Sequence, residues 1–240
     1  MAKIKEITDK IQTIAPLESQ ESWDNSGWQI RLQKKDIKKV MLCVSVTDEI
    51  LKQTICNNCD MIVAHHPLFF GGRGIDKPIV KEIIRRHIPV YSIHTPFDKA
   101  QNGTTDSLIE KCGFCVDETL NDYTKIYYAE ITLKELVERV KKGLKIENLR
   151  VTNYDPKKVV KKVAFCAGSG TSFCEEVLNS GCDCFVTADL KYHTALDFDV
   201  TIIDVGHLES EKPALVTIKN LLKDIVECKI AEEKPAIQII

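Results

Sequence analysis

The 240-residue chain has almost no excess of one charge: 33 basic side chains face 35 acidic ones. That balance excludes both the one-sided charge of a disordered tail and the basic surplus of a dedicated nucleic-acid binder. The chain also lacks an apolar run near the roughly 20 residues of a membrane span. Lys3, Lys5, Glu6, Asp9 and Lys10 break up the first sixteen residues, so no signal peptide is expected there. Phosphate-loop and dinucleotide fingerprints are missing too. The glycine-rich stretch Phe69-Phe70-Gly71-Gly72-Arg73-Gly74 fits neither pattern and reads as a loop near a site. What remains is a globular, cytoplasmic protein with no membrane partner, long enough for one large domain or two small ones.

Cysteine, by contrast, is plentiful, with ten residues. A cytosolic setting argues against disulfides. The pairs Cys56/Cys59 and Cys112/Cys115 lie 52 residues apart, far beyond the spacing of a zinc ribbon. Cys43, Cys166, Cys182 and Cys184 alternate with apolar residues in strand-like runs, where a thiol packs as a small hydrophobe.

The apolar pattern predicts the layout. Ile4, Ile7, Ile11 and Ile14 form one stripe of a first helix ending before Pro16. From residue 38 onward, strand-like runs (40–46, 61–64, 90–93) alternate with helical stretches, as in a partly parallel α/β sheet. A strand over 125–131 precedes a helix that Thr132 opens, with Glu135 completing a capping box. Residues 38–63 align without gaps on 161–186 at a constant offset of 123, with seven identities, among them Cys43/Cys166, Cys59/Cys182 and Asp60/Asp183. The fold expected is therefore α/β: duplicated strand-helix-strand units forming two similar, intertwined lobes. Residues 1–99 with 190–240 are expected to form the first lobe, and 100–189 the second.

In each copy the second strand ends on polar residues, His65-His66 in one and Ala188-Asp189 in the other. A later strand ends in His94-x-x-x-Asp98 and in His207-x-x-x-Glu211. In α/β architecture such strand ends face a common crevice. His65-His66-Pro67 alone reads more readily as a structural pair at a turn than as a ligand pair. Three imidazoles with two carboxylates at repeat-related ends exceed one tetrahedral site and fit two bridged divalent ions. Trp23-Asp24-Asn25-Ser26-Gly27 has turn composition and reads as a turn flanked by packed tryptophans. Gly168-Ser169-Gly170 reads as a β-α turn or an anion cradle, the lysine pairs at 34–35, 38–39, 157–158 and 161–162 as solvated edges, and His87 as a surface residue on a helix.

These residues resemble the GTP cyclohydrolase I type 2 homologs, also called Nif-three-like proteins. The resemblance rests on Trp23-Asp24-Asn25-x-Gly27-x-Gln29, Ala64-His65-His66-Pro67, His94-Thr95-x-x-Asp98, Gly168-Ser169-Gly170, Thr187-x-Asp189 with Tyr192-His193, and Asp204-x-Gly206-His207-x-x-x-Glu211. It implies a toroidal homohexamer with a dinuclear metal site in a cleft, liganded by His65, His66, Asp98, His207 and Glu211, with Glu211 bridging. Glu209 stands beside Glu211 as an alternative carboxylate. His94 and Asp24 are assigned to support or substrate contact, and Asp189 and His193 to acid/base work. The chain departs from the family pattern at Pro96, Ala188 and Leu208-Glu209. The inherited name implies a guanine pocket, for which the sequence shows no motif.

Two functions follow as expectations. One is a metal-dependent hydrolase acting on a nucleotide-like or phosphorylated small molecule, using two ions drawn from Zn, Fe, Mn, Co or Ni. The other is a non-catalytic metal carrier or scaffold ring for protein or nucleic-acid partners. A DNA-binding ring would need a basic lining that net charge does not exclude.

Overall fold

A computed structural model describes residues 1–33, 36–70 and 77–237. The Lys34-Lys35 pair and Gly71-Gly72-Arg73-Gly74 lie outside the described residues. The strands run in chain order as β1 (Gly27–Ile30), β2 (Lys39–Cys43), β3 (Met61–Ala64), β4 (Val90–Ser92), β5 (Glu118–Thr119), β6 (Lys125–Thr132), β7 (Arg150–Val151), β8 (Val159–Phe165), β9 (Cys184–Thr187), β10 (Thr201–Asp204) and β11 (Glu227–Ile230). They belong to two compact units, Met1–Gln101 with Leu215–Glu233, and Asn102–Ala214 with Lys234–Ile240.

The first unit's sheet has the order β1-β4-β3-β2-β11. β11, β2, β3 and β4 are parallel, and β1 closes one edge antiparallel to β4. β3 is buried at every position and β2 at all but Lys39, the near-continuous apolar run of a sheet covered on both faces. Thr47 opens the crossover helix Asp48–Cys56 by accepting a hydrogen bond from the Ile50 amide. The helix Ile4–Gln12 buries Ile7 and Ile11, as the isoleucine stripe predicts.

The second unit's sheet has the order β5-β6-β8-β9-β10-β7. Thr132 caps the helix Leu133–Leu144 by accepting from the Glu135 amide, and the Glu135 carboxylate accepts from Arg139 at 2.6 Å. This helix comes close to the helix Thr104–Lys111, since a Cβ on Gly143 would collide with the backbone at Lys111.

The duplication is visible in the pairing itself. β2 and β3 pair from Val40↔Met61 to Leu42↔Val63, and β8 and β9 pair from Val163↔Cys184 to Phe165↔Val186, each partner advanced by 123. Asp60 accepts from the Lys38 and Lys39 amides, and Asp183 from those of Lys161 and Lys162. The equivalence extends beyond the sequence match to the antiparallel edges: Gly27↔Ser92 and Trp28↔Tyr91 correspond to Arg150↔Asp204 and Val151↔Ile203.

Several expectations are corrected. Residues 190–214 lie with the second unit, because β10 pairs in parallel with β9 from Thr201↔Cys184 to Asp204↔Thr187. Lys158 and Lys162 are more than solvated edges, since their ammonium groups donate to Asp183 and Ser180 carbonyls. His87 is exposed, as expected, but follows the helix Pro78–Arg85 in a left-handed conformation (φ 58°), with its Nε2 2.9 Å from the Gln33 carbonyl.

Candidate metal centre

In the first unit the β2–β3 ladder continues past the strands: the His65 amide donates to Cys43 O and the His66 amide to Val44 O. The two rings nevertheless converge, with centroids 5.1 Å apart. His94, which precedes the short helix Thr95–Lys99, completes a triangle at 5.4 Å from each. One ligand atom from each of these three histidines lies within 4.8 Å of the others. Asp98, on that short helix, places Oδ1 3.4 Å from His65 Nε2.

Each imidazole is oriented through Nδ1. His65, 1% exposed, faces the Ile93 carbonyl at 3.2 Å. His66 Nδ1 meets Ser45 Oγ at 2.8 Å and His94 Nδ1 meets Asp24 Oδ1 at 2.9 Å. An Nδ1 so anchored leaves Nε2 as the ligand nitrogen. Asp24 is a hub rather than a plain turn residue. It also accepts from Asn25 N, Ser26 Oγ, Thr95 N and Thr95 Oγ1. Burial would raise its carboxyl, but hydrogen bonds from His94, Thr95 and Ser26 outweigh that and hold it well below the usual carboxylate range. Trp23 is not packed as the turn reading required. It is 58% exposed, set edge-on to His94 and to Phe70, which is itself 52% exposed. Trp28 alone packs, edge-on to Tyr91.

In the second unit, His207 opens the helix His207–Glu211 just after β10. Its Nδ1 pairs with Asp189 Oδ2 at 2.7 Å and its Nε2 lies 3.1 Å from Glu211 Oε1. Burial works against a charged imidazole here, but the Glu211 and Asp189 carboxylates prevail and raise it to about 9. Glu211 is 5% exposed, and its carboxylate occupies the space a side chain at Gly168 would need: a Cβ there would sit 2.5 Å from Oε1. Gly168 has φ +66°, a left-handed conformation that favours glycine. The Glu209 carboxylate instead packs over Gly206, so Glu211 is the carboxylate beside His207. Asp189, held at φ 56°, directs its carboxylate to His207 and thereby orients a ring. His193 is exposed on the short helix Tyr192–Asp197, against the Tyr192 ring.

The strand ends correspond less directly than the spacing suggested. The amides of Ile93 and Val205 make equivalent ladder bonds, to Ala64 O and Thr187 O, which sets His94 opposite Gly206 rather than His207. One residue is therefore inserted before the second copy's histidine, at a glycine with φ +89°. Sequence reasoning quoted Thr95 only as part of the His94 motif and did not single out Ser45 or Ser210, whose hydroxyl bridges the Gly168 amide and the His207 carbonyl. Isolated hydroxyl residues carry no spacing signal.

A family-wide profile described as DUF34/NIF3 (NGG1p interacting factor 3) matches residues 2–236. The chain belongs to the DUF34/NIF3 family. Among its relatives, a Clostridium acetobutylicum protein named GTP cyclohydrolase 1 type 2 homolog is 31% identical over 92% of this chain and 90% of its own. A Campylobacter jejuni protein of the same name is 33% identical over 88% of both chains. Solved structures agree in fold: a Bacillus cereus protein related to NIF3 superposes with a TM-score of 0.87 at 20% identity, covering 98% of both chains. Reduced HcgD from Methanocaldococcus jannaschii gives 0.83 at 25% identity, covering 95% of this chain and 96% of its own. Among the described residues, no helix is long and apolar enough to cross a membrane.

The donors fit a divalent metal of the zinc-to-manganese group: imidazoles anchored by carbonyl, hydroxyl or carboxylate oxygens, together with buried or half-buried carboxylates.

Proposed function

We propose that this DUF34/NIF3 protein binds two divalent metal ions through His65, His66, Asp98, His207 and Glu211 and uses them to hydrolyse a nucleotide-like or phosphorylated small molecule. The observation that carries the reading is the shared anchoring of ligand histidines through Nδ1, at Ile93 O, Ser45 Oγ and Asp189 Oδ2. It matches how metal-bound imidazoles are normally held. Divalent cations there would supply Lewis acidity and lower the pKa of water towards neutrality. Asp24 and Asp189 fix ring orientation at His94 and His207, and Asp189 or His193 is the candidate to move a proton. Glu211 is the carboxylate assigned to bridge. A homohexamer in the cytoplasm belongs to the same proposal, by family resemblance.

The test is metal analysis of purified protein beside a screen of nucleotides and phosphoesters. Two ions per chain are expected, with His66→Ala and Asp98→Ala each losing metal while retaining the wild-type circular dichroism spectrum. Full occupancy in both variants overturns the site. Chelator-sensitive hydrolysis supports the enzyme, whereas tight stoichiometric metal without turnover favours a carrier.

A further inference from the structure

The segment after β11 carries a chain of contacts that reaches His66. The Ala231 amide donates to Leu42 O, extending the β2–β11 pairing by one residue. The Gln53 side chain then holds the backbone of the next residue at both ends, donating to Glu232 O and accepting from Glu232 N, each at 2.9 Å. The backbone so held delivers the Glu233 carboxylate to two consecutive amides beyond β2, Val44 N at 2.7 Å and Ser45 N at 2.9 Å. Successive amides donating to one anion form a rigid nest with charge-assisted bonds. Ser45 is thus fixed at its backbone, and its hydroxyl meets His66 Nδ1 at 2.8 Å.

The duplicated unit shows that this arrangement is particular to one copy. The position equivalent to Ser45 is Gly168, whose amide donates to Ser210 Oγ and whose missing side chain leaves room for Glu211. One copy places a hydroxyl where the other needs space.

We propose that Ser45 and Glu233 are positioning residues for His66: Glu233 locks the backbone at residues 44–45, and Ser45 sets the rotation and tautomer of the imidazole, presenting Nε2 for ligation. The proposal rests on His66 being a metal ligand, as proposed above. Losing such an outer contact characteristically weakens metal affinity about 10–100-fold.

The experiment titrates the full-length chain with Zn²⁺ against a chelator, for the wild type, Ser45→Ala, Ser45→Thr and Glu233→Ala, with circular dichroism confirming the fold. Ser45→Ala and Glu233→Ala are expected to bind about 10–100-fold more weakly, and Ser45→Thr, which keeps the hydroxyl, close to wild type. Glu233→Gln, which retains one acceptor oxygen, replaces Glu233→Ala where the latter fails to fold. Nitrogen-15 spectra of the His66 ring in metal-free protein give a second readout. One neutral tautomer is expected in the wild type and a mixture in Ser45→Ala. Wild-type affinity in Ser45→Ala overturns the proposal. A wild type that binds no Zn²⁺ overturns the metal reading instead, and an unchanged His66 tautomer in Ser45→Ala then overturns the positioning role on its own.

Discussion

The two copies of the strand-helix-strand unit share a pairing register at an offset of 123 residues, yet their polar ends have diverged. The first ends in a histidine pair, with Ser45 bonded to His66. The second ends in Ala188-Asp189, with Gly168 open to Glu211. Strand pairing and buried apolar faces have stayed the same because a one-residue slip would turn every core side chain to the wrong face. The loops beyond the strands face no such constraint, so chemistry could differ there while the scaffold did not. The shared scaffold includes its smallest polar device, the aspartate that gathers two consecutive amides at the start of β2 and within β8.

Five measurements would break or sharpen that comparison. The largest effect is expected in the core, where Phe185 and its counterpart Ile62 are both fully buried. Phe185→Ala should cost about 3–5 kcal/mol and Ile62→Ala about 2–5 kcal/mol in urea unfolding. A cost below 1 kcal/mol at either would contradict their equivalence as core positions. Next comes Gly168→Ala, which forces a left-handed alanine against Glu211 and should lose about 1–3 kcal/mol. Ser45→Ala, at the matching position, should lose only about 0.5–1.5 kcal/mol, and a reversal of that order would refute the divergence argued above. Asp60→Ala and Asp183→Ala should each cost about 0.5–2 kcal/mol, as helix caps do, and by nearly equal amounts. Clearly unequal costs would mean that the two devices only look alike. The fourth concerns Asp24, whose folded carboxyl sits below its unfolded value near 3.9. Its contribution is therefore present above about pH 4 and is lost progressively as the pH falls below that. Asp24→Asn should lower stability at neutral pH and flatten that acid limb, and an unaltered limb would discount the hub. The smallest effect is expected at the exposed thiols, Cys56 and Cys115. Serine at either should change stability by less than about 0.5 kcal/mol. These two should react with a disulfide reagent in native protein while Cys112 and Cys184, buried and pushed up to about 12, wait for unfolding. Rapid labelling of more than two thiols would contradict the described burial.

What was legible in the sequence follows the strength of each physical constraint. Continuous apolar runs and the identities at Cys43/Cys166 and Asp60/Asp183 disclosed the parallel pairs, because buried strands tolerate few residue types. The edges β1 and β7 were not legible as a repeat, since Gly27-Trp28 and Arg150-Val151 share no residue and an edge strand is constrained on one side only. The boundary near residue 190 was misplaced because nothing local in 201–204 says which strand it will pair with. His65 and His66 stood out as paired imidazoles at the end of an apolar strand. Asp24 came only through the family motif, and Ser45 and Glu233 did not stand out at all, because their roles depend on neighbours distant in sequence and on loop geometry without a period.

The return of β11 to lie beside β2 has a consequence for how the molecule is made. Glu233 and the Val44 amide it holds are 189 residues apart along the chain. The second unit's sheet is drawn from one continuous stretch, so it can close while synthesis continues. The first unit's sheet must keep an open, apolar parallel edge at β2 until that stretch has been produced. During that interval the exposed edge is the place where a nascent chain of this protein is most vulnerable to mispairing.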